Sequence, residues 1–235
     1  MAYDKVVDSA KLDAAMSATA DAIRGKTGSV DSIVWDESTG FANAVGGVYE
    51  AGEKYEYDRF WDDIQNNGDE SGANYYYAFS YNRMSDDVFN PKYDLICASG
   101  TSPARAIFYS NERITDTKKS IRILGNNAQS MFYSCKNLVT IRGFITNRSV
   151  EYQTTFGACG KLVTINVSGE IGKSIDFKPC ILLSHDSIVS IINALASDVT
   201  GQTVSFSAEA VNNAFTDAEW SALIATKTNW TISLA

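Results

Sequence analysis

Four groups of residues in this chain could do chemistry: a histidine beside an acid and a hydroxyl, clustered carboxylates, a polar loop with cation-site spacing, and four cysteines. His185, the only histidine, lies in SHDS next to Asp186 and Ser187. These are the residue types of a nucleophile triad, but a triad works by converging on one substrate atom, which adjacent residues cannot easily do. The run reads instead as the start of a helix. Asp62, Asp63, Asp69, Glu70, Asp86 and Asp87 could supply the acid and base of a glycosidase pair, although acidic pairs in polar loops are more often solvated surface. In DIQNNGDESGAN, Asp63, Gln65, Asn67 and Gly68 fall at positions 1, 3, 5 and 6 of a calcium loop. Position 12 is Asn74, where such a loop needs a bidentate Glu. GNNAQS and GACGK fall short of a phosphate loop.

Cys97, Cys135, Cys159 and Cys180 form no CxxC pair, and structural zinc usually takes its ligands in close pairs. Cys135 and Cys159 occupy equivalent places in two similar lines, MFYSCKNLVTI and TFGACGKLVTI, 24 residues apart. The expectation is a ladder of small, buried, reduced thiols, in a chain with no catalytic residues, no cofactor and no metal.

The two lines are the elements that must position everything else. Phe132, Cys135, Leu138 and Ile141 recur as Phe156, Cys159, Leu162 and Ile165. Phe108 precedes them by the same 24 residues, Phe177 follows after 21, and Phe79 and Phe89 look like anchors of less regular early coils. A repeat of this length marks a solenoid, because one coil cannot bury its own apolar face and stacked coils share a continuous column. Each fully buried large apolar side chain contributes about 1.5–3 kcal/mol, so a coil offsets its ordering cost only when neighbours cover both of its faces.

Flanking segments differ. DSAKLDAAMSATADAIR places Leu12, Met16, Ala20 and Ile23 on one helical stripe, capped by Asp8 or Ser9 and ended by GKTG. So narrow a seam needs a partner, either the body of the chain or the same helix in sister subunits, as in a homotrimer. A short apolar segment, FANAVGGVY, follows, and then a polar, acidic stretch around Phe60 and Trp61. Past the last coil, LSHDSIVSIINALAS has helical spacing, QTVSFS alternates like a strand, SAEAVNNAF and TDAEWSALIATK read as helices, and WTISL as a final strand. That is the form of a module closing the open end of a stack. The expected fold is α+β: a helical attachment or oligomerisation segment over 1–47, an irregular solenoid over 48–182, and a helix-strand cap over 183–235.

Composition narrows the partners. Hydrophobic residues make up 45% and charged residues 20% of the chain, and the formal charge is −8 with no basic run, which argues against nucleic acid. No stretch approaches a membrane span, and AYDKVVDSAKLD after Met1 lacks the apolar core of a secretory leader, so the chain is expected to be made in the cytosol. Tyr75, Tyr76, Tyr77 and Tyr81 cluster beside Asn74 and Asn82 at the less regular end of the stack. In an extended segment Tyr75 and Tyr77 would share one face and Tyr76 the other. Either the cluster plugs the first coil, or its outward members present an aromatic patch to a ligand.

The repeated lines resemble the F-x-x-C-x-x-L-x-x-I unit of bacterial-surface (BspA-type) leucine-rich repeats, and the coil around Phe108 departs from it with Asn111 in the Cys slot. VVDSAKLDAAMSATADAIRGKTG and IVWDESTGFANAV resemble the start of virion proteins from phages of Gram-positive gut bacteria. RFWDDIQNNG, YAFSYN, FNPKYDL and AEWSALIATKTNWTISL are similar to segments of phage and prophage proteins carrying such repeats. The resemblance implies a tail-fibre or receptor-binding type of virion protein, made in the bacterial cytoplasm. Its N-terminal segment would join other virion proteins and its solenoid would meet a host surface glycan or protein. The alternative it leaves is a structural baseplate, tail or capsid accessory component that contacts virion proteins alone. Fold by itself does not decide between them.

Overall fold

The computed structural model describes residues 70–81, 86 and 89–235. The stripe of Leu12, Met16 and Ile23, the segment around Phe60 and Trp61, the carboxylates Asp62, Asp63, Asp69 and Asp87, the loop residues Gln65, Asn67, Gly68 and Asn82, and FANAVGGVY lie outside the described residues. By its contacts the chain divides into Met1–Asp62 and Asp63–Ala235, and the second unit is a mixed α/β fold with parallel sheets and few helices among the described residues.

Strands β1 (Leu95–Cys97), β2 (Ser120–Ile123), β3 (Thr140–Thr146) and β4 (Thr164–Gly169) form one parallel sheet in chain order. The strands alternate buried and more exposed positions, interrupted in β3 where Gly143 and Phe144 are both buried at a register shift against β4, and the register pairs Thr140 with Thr164 and Ile141 with Ile165, 24 residues on. Isolated bridges pair Ala73 with Cys97, Asp116 with Thr140, Asn127 with Glu151, and Ile171 with Leu195, each again 24 apart. The chain therefore advances one layer per coil, and a sequence period becomes a spatial one.

The apolar column lies between the strands and a run of tight turns opposite them. Phe79, Phe108, Phe132, Phe156, Phe177 and Phe206 are all at most 1% exposed. Phe108 and Phe132 stack at 5.4 Å, Phe132 and Phe156 at 5.6 Å, and Phe156 and Phe177 at 4.6 Å. Phe89 packs edge-on against both Phe79 and Phe108. Leu138, Ile141, Leu162 and Ile165 fill the strand side at 0–1% exposure.

On the turn side the backbone adopts a conformation the sequence does not advertise. Ala106, Ser130 and Thr154 are left-handed, and so are Ser110, Ser134 and Ala158, four residues further along each coil. A non-glycine residue there costs about 1–2 kcal/mol. The return is a second ladder between coils: the N–H groups of Ala106, Phe108 and Ser110 donate to the carbonyls of Gln129, Met131 and Tyr133, and those of Ser130, Phe132 and Ser134 to Gln153, Thr155 and Gly157, at 2.7–3.0 Å. Buried turns thus satisfy their polar groups as a sheet would.

The stack closes at its far end. Helix α1 (His185–Ala194), capped by Ser184, lies along the edge of β4 with Ile188, Ile191 and Ile192 buried. Its serines replace a fifth strand. Ser187 Oγ donates to the Val163 carbonyl and accepts from the Ile165 N–H, both at 3.0 Å, and Ser190 Oγ donates to the Ile165 carbonyl and accepts from the Val167 N–H. An edge strand so covered cannot template another chain. β5 (Ile175–Phe177), β6 (Gln202–Phe206) and β7 (Trp230–Leu234) form a second parallel sheet. Since β5 precedes residue 183, this sheet straddles the boundary read from the sequence. Helices α2 (Ala208–Ala214) and α3 (Asp217–Ile224) follow β6, and Trp220 of α3 meets Phe206 edge to face at 6.0 Å and 89°, ending the phenylalanine column.

Candidate functional site: an aromatic strip on the turn face

Two positions recur from coil to coil on the turn face. The residue after the core phenylalanine is Tyr109, then Tyr133, then Gly157; the residue before the first left-handed position is Arg105, then Gln129, then Gln153. The rungs touch in register. Tyr109 and Tyr133 stack at 5.3 Å and 15°, Gln129 Nε2 donates to Gln153 Oε1 at 3.1 Å, and the hydroxyls of Ser130 and Thr154 bond at 2.9 Å. Against this strip the first coil places its tyrosines: Tyr77 and Tyr81 each meet Tyr109, at 6.0 and 5.5 Å, and Arg105 lies over the Tyr76 ring at 5.9 Å. Burial and the neighbouring Tyr76 and Tyr81 hydroxyls raise the Tyr77 pKa, which keeps that phenol neutral at neutral pH.

The structure corrects the reading of the tyrosine cluster. Residues 75–81 are not an extended segment but tight turns, with Tyr77 and Tyr81 left-handed at φ 56° and 55°. Alternation separates Tyr75 from Tyr76 but fails at Tyr77, which turns to Tyr109 instead of joining Tyr75. Tyr75 is 1% exposed and packs on Phe79 at 6.1 Å, so it plugs the first coil and offers nothing to a ligand. Tyr76 at 42% and Tyr81 at 59% face outward. Tyr109 and Tyr133 were missed, although the sequence held the signal: tyrosine follows phenylalanine twice at the 24-residue spacing.

The other candidates are structural where they are described. Ser187 is fully engaged at the β4 edge, while His185 sits on the Phe215 ring at 4.5 Å with Nδ1 3.0 Å from Asp186 Oδ1, so the three side chains do not converge. Glu70 pairs with Arg122 at 3.2 Å and Asp86 accepts from the Thr115 N–H at 2.8 Å, which uses each carboxylate separately. Asn74 accepts from the Tyr76 N–H at 3.0 Å. Among the described residues no group of three or more His, Cys, Asp or Glu is placed to hold a metal ion.

All four thiols are free and buried. Cys97 ends β1, and the slot that the other three fill is a donor slot: Cys135 Sγ donates to the Phe108 carbonyl and Cys159 Sγ to the Phe132 carbonyl, both at 3.0 Å, and Cys180 Sγ lies 4.0 Å from that of Phe156. Asn111, which departs from the cysteine pattern, does the same work, its Nδ2 donating to the Phe79 carbonyl at 2.8 Å. What the position requires is a small side chain with one donor aimed at the coil before it. Burial pushes the Cys159 thiol from 9.0 up to about 12 and raises those of Cys97, Cys135 and Cys180 as well.

The sign of the consequence follows from which state holds the protons. Between pH 9 and 12 the unfolded chain loses thiol protons that the folded chain keeps, so this contribution is complete below the ordinary pKa and is lost as pH rises toward the folded one. The expected result is that Cys135→Ser/Cys159→Ser, which keeps the donors but does not ionise, loses less stability than the parent between about pH 7 and about pH 10.5 in denaturant titrations. Parallel losses in the two proteins would show that the thiols do not carry the alkaline sensitivity.

Charge is laid elsewhere. Arg122 with Glu70, Arg142 with Asp116 and Arg148 with Asp198 pair at 2.5–3.2 Å on the strands and the bend after them. Among the described residues of the strip, Arg105 is the one charged side chain. Comparison with protein-family models, curated proteins and solved structures gave no match for this chain. The case for function therefore stands on the strip itself and on the sequence resemblance.

Proposed function

We propose that residues 48–182 are an irregular BspA-type leucine-rich-repeat solenoid and that the protein is a non-enzymatic bacteriophage virion protein, a tail-tip or tail-fibre adhesin. In this reading residues 1–47 join other virion proteins or sister subunits, residues 183–235 close the stack, and the turn face binds the host surface. The observation that carries it is the row of Tyr76, Tyr77, Tyr81, Tyr109 and Tyr133 held at the surface by the repeat. Tyrosine supplies large contact area with few rotors to freeze, and stacking has already removed much of that freedom. A purely structural accessory protein has no need of such a surface unless another virion protein covers it.

The two readings separate in one experiment. The purified chain should be retained on host cells, and Tyr109→Ala/Tyr133→Ala should lower retention at least about tenfold, the scale of losing one or two aromatic anchors, with little change in melting temperature. A parent chain that co-purifies with particles yet is not retained on host cells would sink the adhesin reading in favour of the structural one.

A further inference from the structure

The two sheets end differently. The outer edge of β4 is closed by the Ser187 and Ser190 hydroxyls of α1, whereas β7, the last strand of the second sheet, pairs with β6 alone among the described residues. An uncovered edge is a template for one more strand, and natural sheets blunt it with a charge, a proline, a bulge or a covering element. WTISL carries no charge and no proline, and its register with β6 runs without a shift from Trp230 to Leu234. No helix lies along β7 as α1 lies along β4.

Apolar surface continues from this edge. Leu234 is 42% exposed, Ile232 is half-buried, and α3 buries none of its residues, although Trp220, Leu223 and Ile224 share one of its faces. The charge around them is one-sided. Residues 183–235 hold Asp186, Asp198, Glu209, Asp217 and Glu219, with Lys227 as the sole lysine or arginine. Arg148 pairs with Asp198, and the Lys227 ammonium donates to the carbonyls of Asn193 and Leu195. Glu209, Asp217 and Glu219 stand in the first turns of α2 and α3. Both helices start at the Leu234 end of β7: the Ala208 N–H donates to the Ala235 carbonyl, and Trp220 meets Phe206, which pairs with Leu234.

Charge decides the occupant. A second copy would offer its own β7, because at the opposite end of the stack Ala73 holds the edge of β1 through the Ile96 carbonyl and the Ala98 N–H. That pairing would bring two acidic modules together, and like charges at close range cost affinity. An extended segment bearing lysine or arginine has the opposite effect, its main-chain hydrogen bonds supplying affinity and its alternate side chains selectivity. We infer that β7 is the docking edge for an extended, lysine- or arginine-bearing segment of another protein, which becomes a fourth strand of the second sheet and sets its cations against Glu209, Asp217 and Glu219. This contact is separate from the turn face and holds whether or not that face meets a host.

Two equimolar mixtures of peptides of about ten residues test it, each alternating Val, Ile or Thr with a charged residue, which is Lys or Arg in one mixture and Asp or Glu in the other. The immobilised full chain should retain the basic mixture at least about tenfold over the acidic one, with less retained as salt rises. Amide hydrogen exchange in β7 should slow when the retained peptides are added. Thr231→Lys, which sets a charge on an exposed position of the strand, and Glu209→Gln/Asp217→Asn should each lower retention about tenfold or more with little change in melting temperature. Equal retention of the two mixtures, retention that leaves β7 exchange unchanged, or no retention at all overturns the inference. So does a chain that sediments as a dimer with β7 already protected, since a second copy then holds the edge.

Discussion

Phe132→Ala should destabilise the protein by about 3–5 kcal/mol, the range for deleting a buried aromatic ring. The ring is 0% exposed and lies between Phe108 and Phe156, with Phe144 at 6.4 Å. Removing it breaks the column in the middle, where neither adjoining coil can collapse into the gap without abandoning the inter-coil hydrogen bonds on either side. The neighbouring Tyr133→Ala is the internal control: it is 37% exposed and should cost under about 1 kcal/mol. Urea titration of both variants checks the pair. A loss below about 1 kcal/mol for Phe132→Ala would mean that the phenylalanines are not the shared core of the stack.

Gly169→Ala is expected to rank with it, at roughly 2–5 kcal/mol from left-handed strain and steric overlap together. Gly169 has φ +81° and ends β4 opposite Thr146, whose carbonyl oxygen would lie well inside contact distance of an added Cβ. That contact is backbone on backbone, so no side chain can turn away to relieve it. Gly160 is the comparison: its nearest neighbour to an added Cβ is the Pro179 carbonyl oxygen at 3.8 Å, and Gly160→Ala should fall within about 0.5 kcal/mol of the parent. Equal stabilities for the two variants would contradict the close approach of β3 and β4 at this end of the sheet.

The sequence made the period visible and left its uses hidden. Phenylalanines at 108, 132 and 156 announce a column because the buried ring is the costliest part of a coil to change. The cysteine slot was equally plain, but its role as a donor was not, since a thiol reads as a small hydrophobe until Asn111 is seen doing the same work. Helix α1 was legible from its isoleucines and from the helix-start residues of SHDS. That Ser187 and Ser190 would stand in for a strand was not, because a helix against a sheet edge occurs once and so leaves no repeat to read. The tyrosine strip was half legible. Tyr75 to Tyr81 drew notice as a cluster, yet strand alternation put Tyr77 on the face of the buried Tyr75, since nothing in Tyr77, Ala106 or Ser130 signals the left-handed backbone that inter-coil hydrogen bonds impose.

We propose above all that this chain belongs to a virion and carries its turn face outward to the host. Electron microscopy of phage particles purified from a lysate in which this chain is made, labelled with an antibody against residues 183–235, tests this most directly. The account predicts label at the distal end of the tail on intact particles, and loss of that label when residues 1–47 are deleted. Particles that carry no label, or label confined to the capsid, would contradict it.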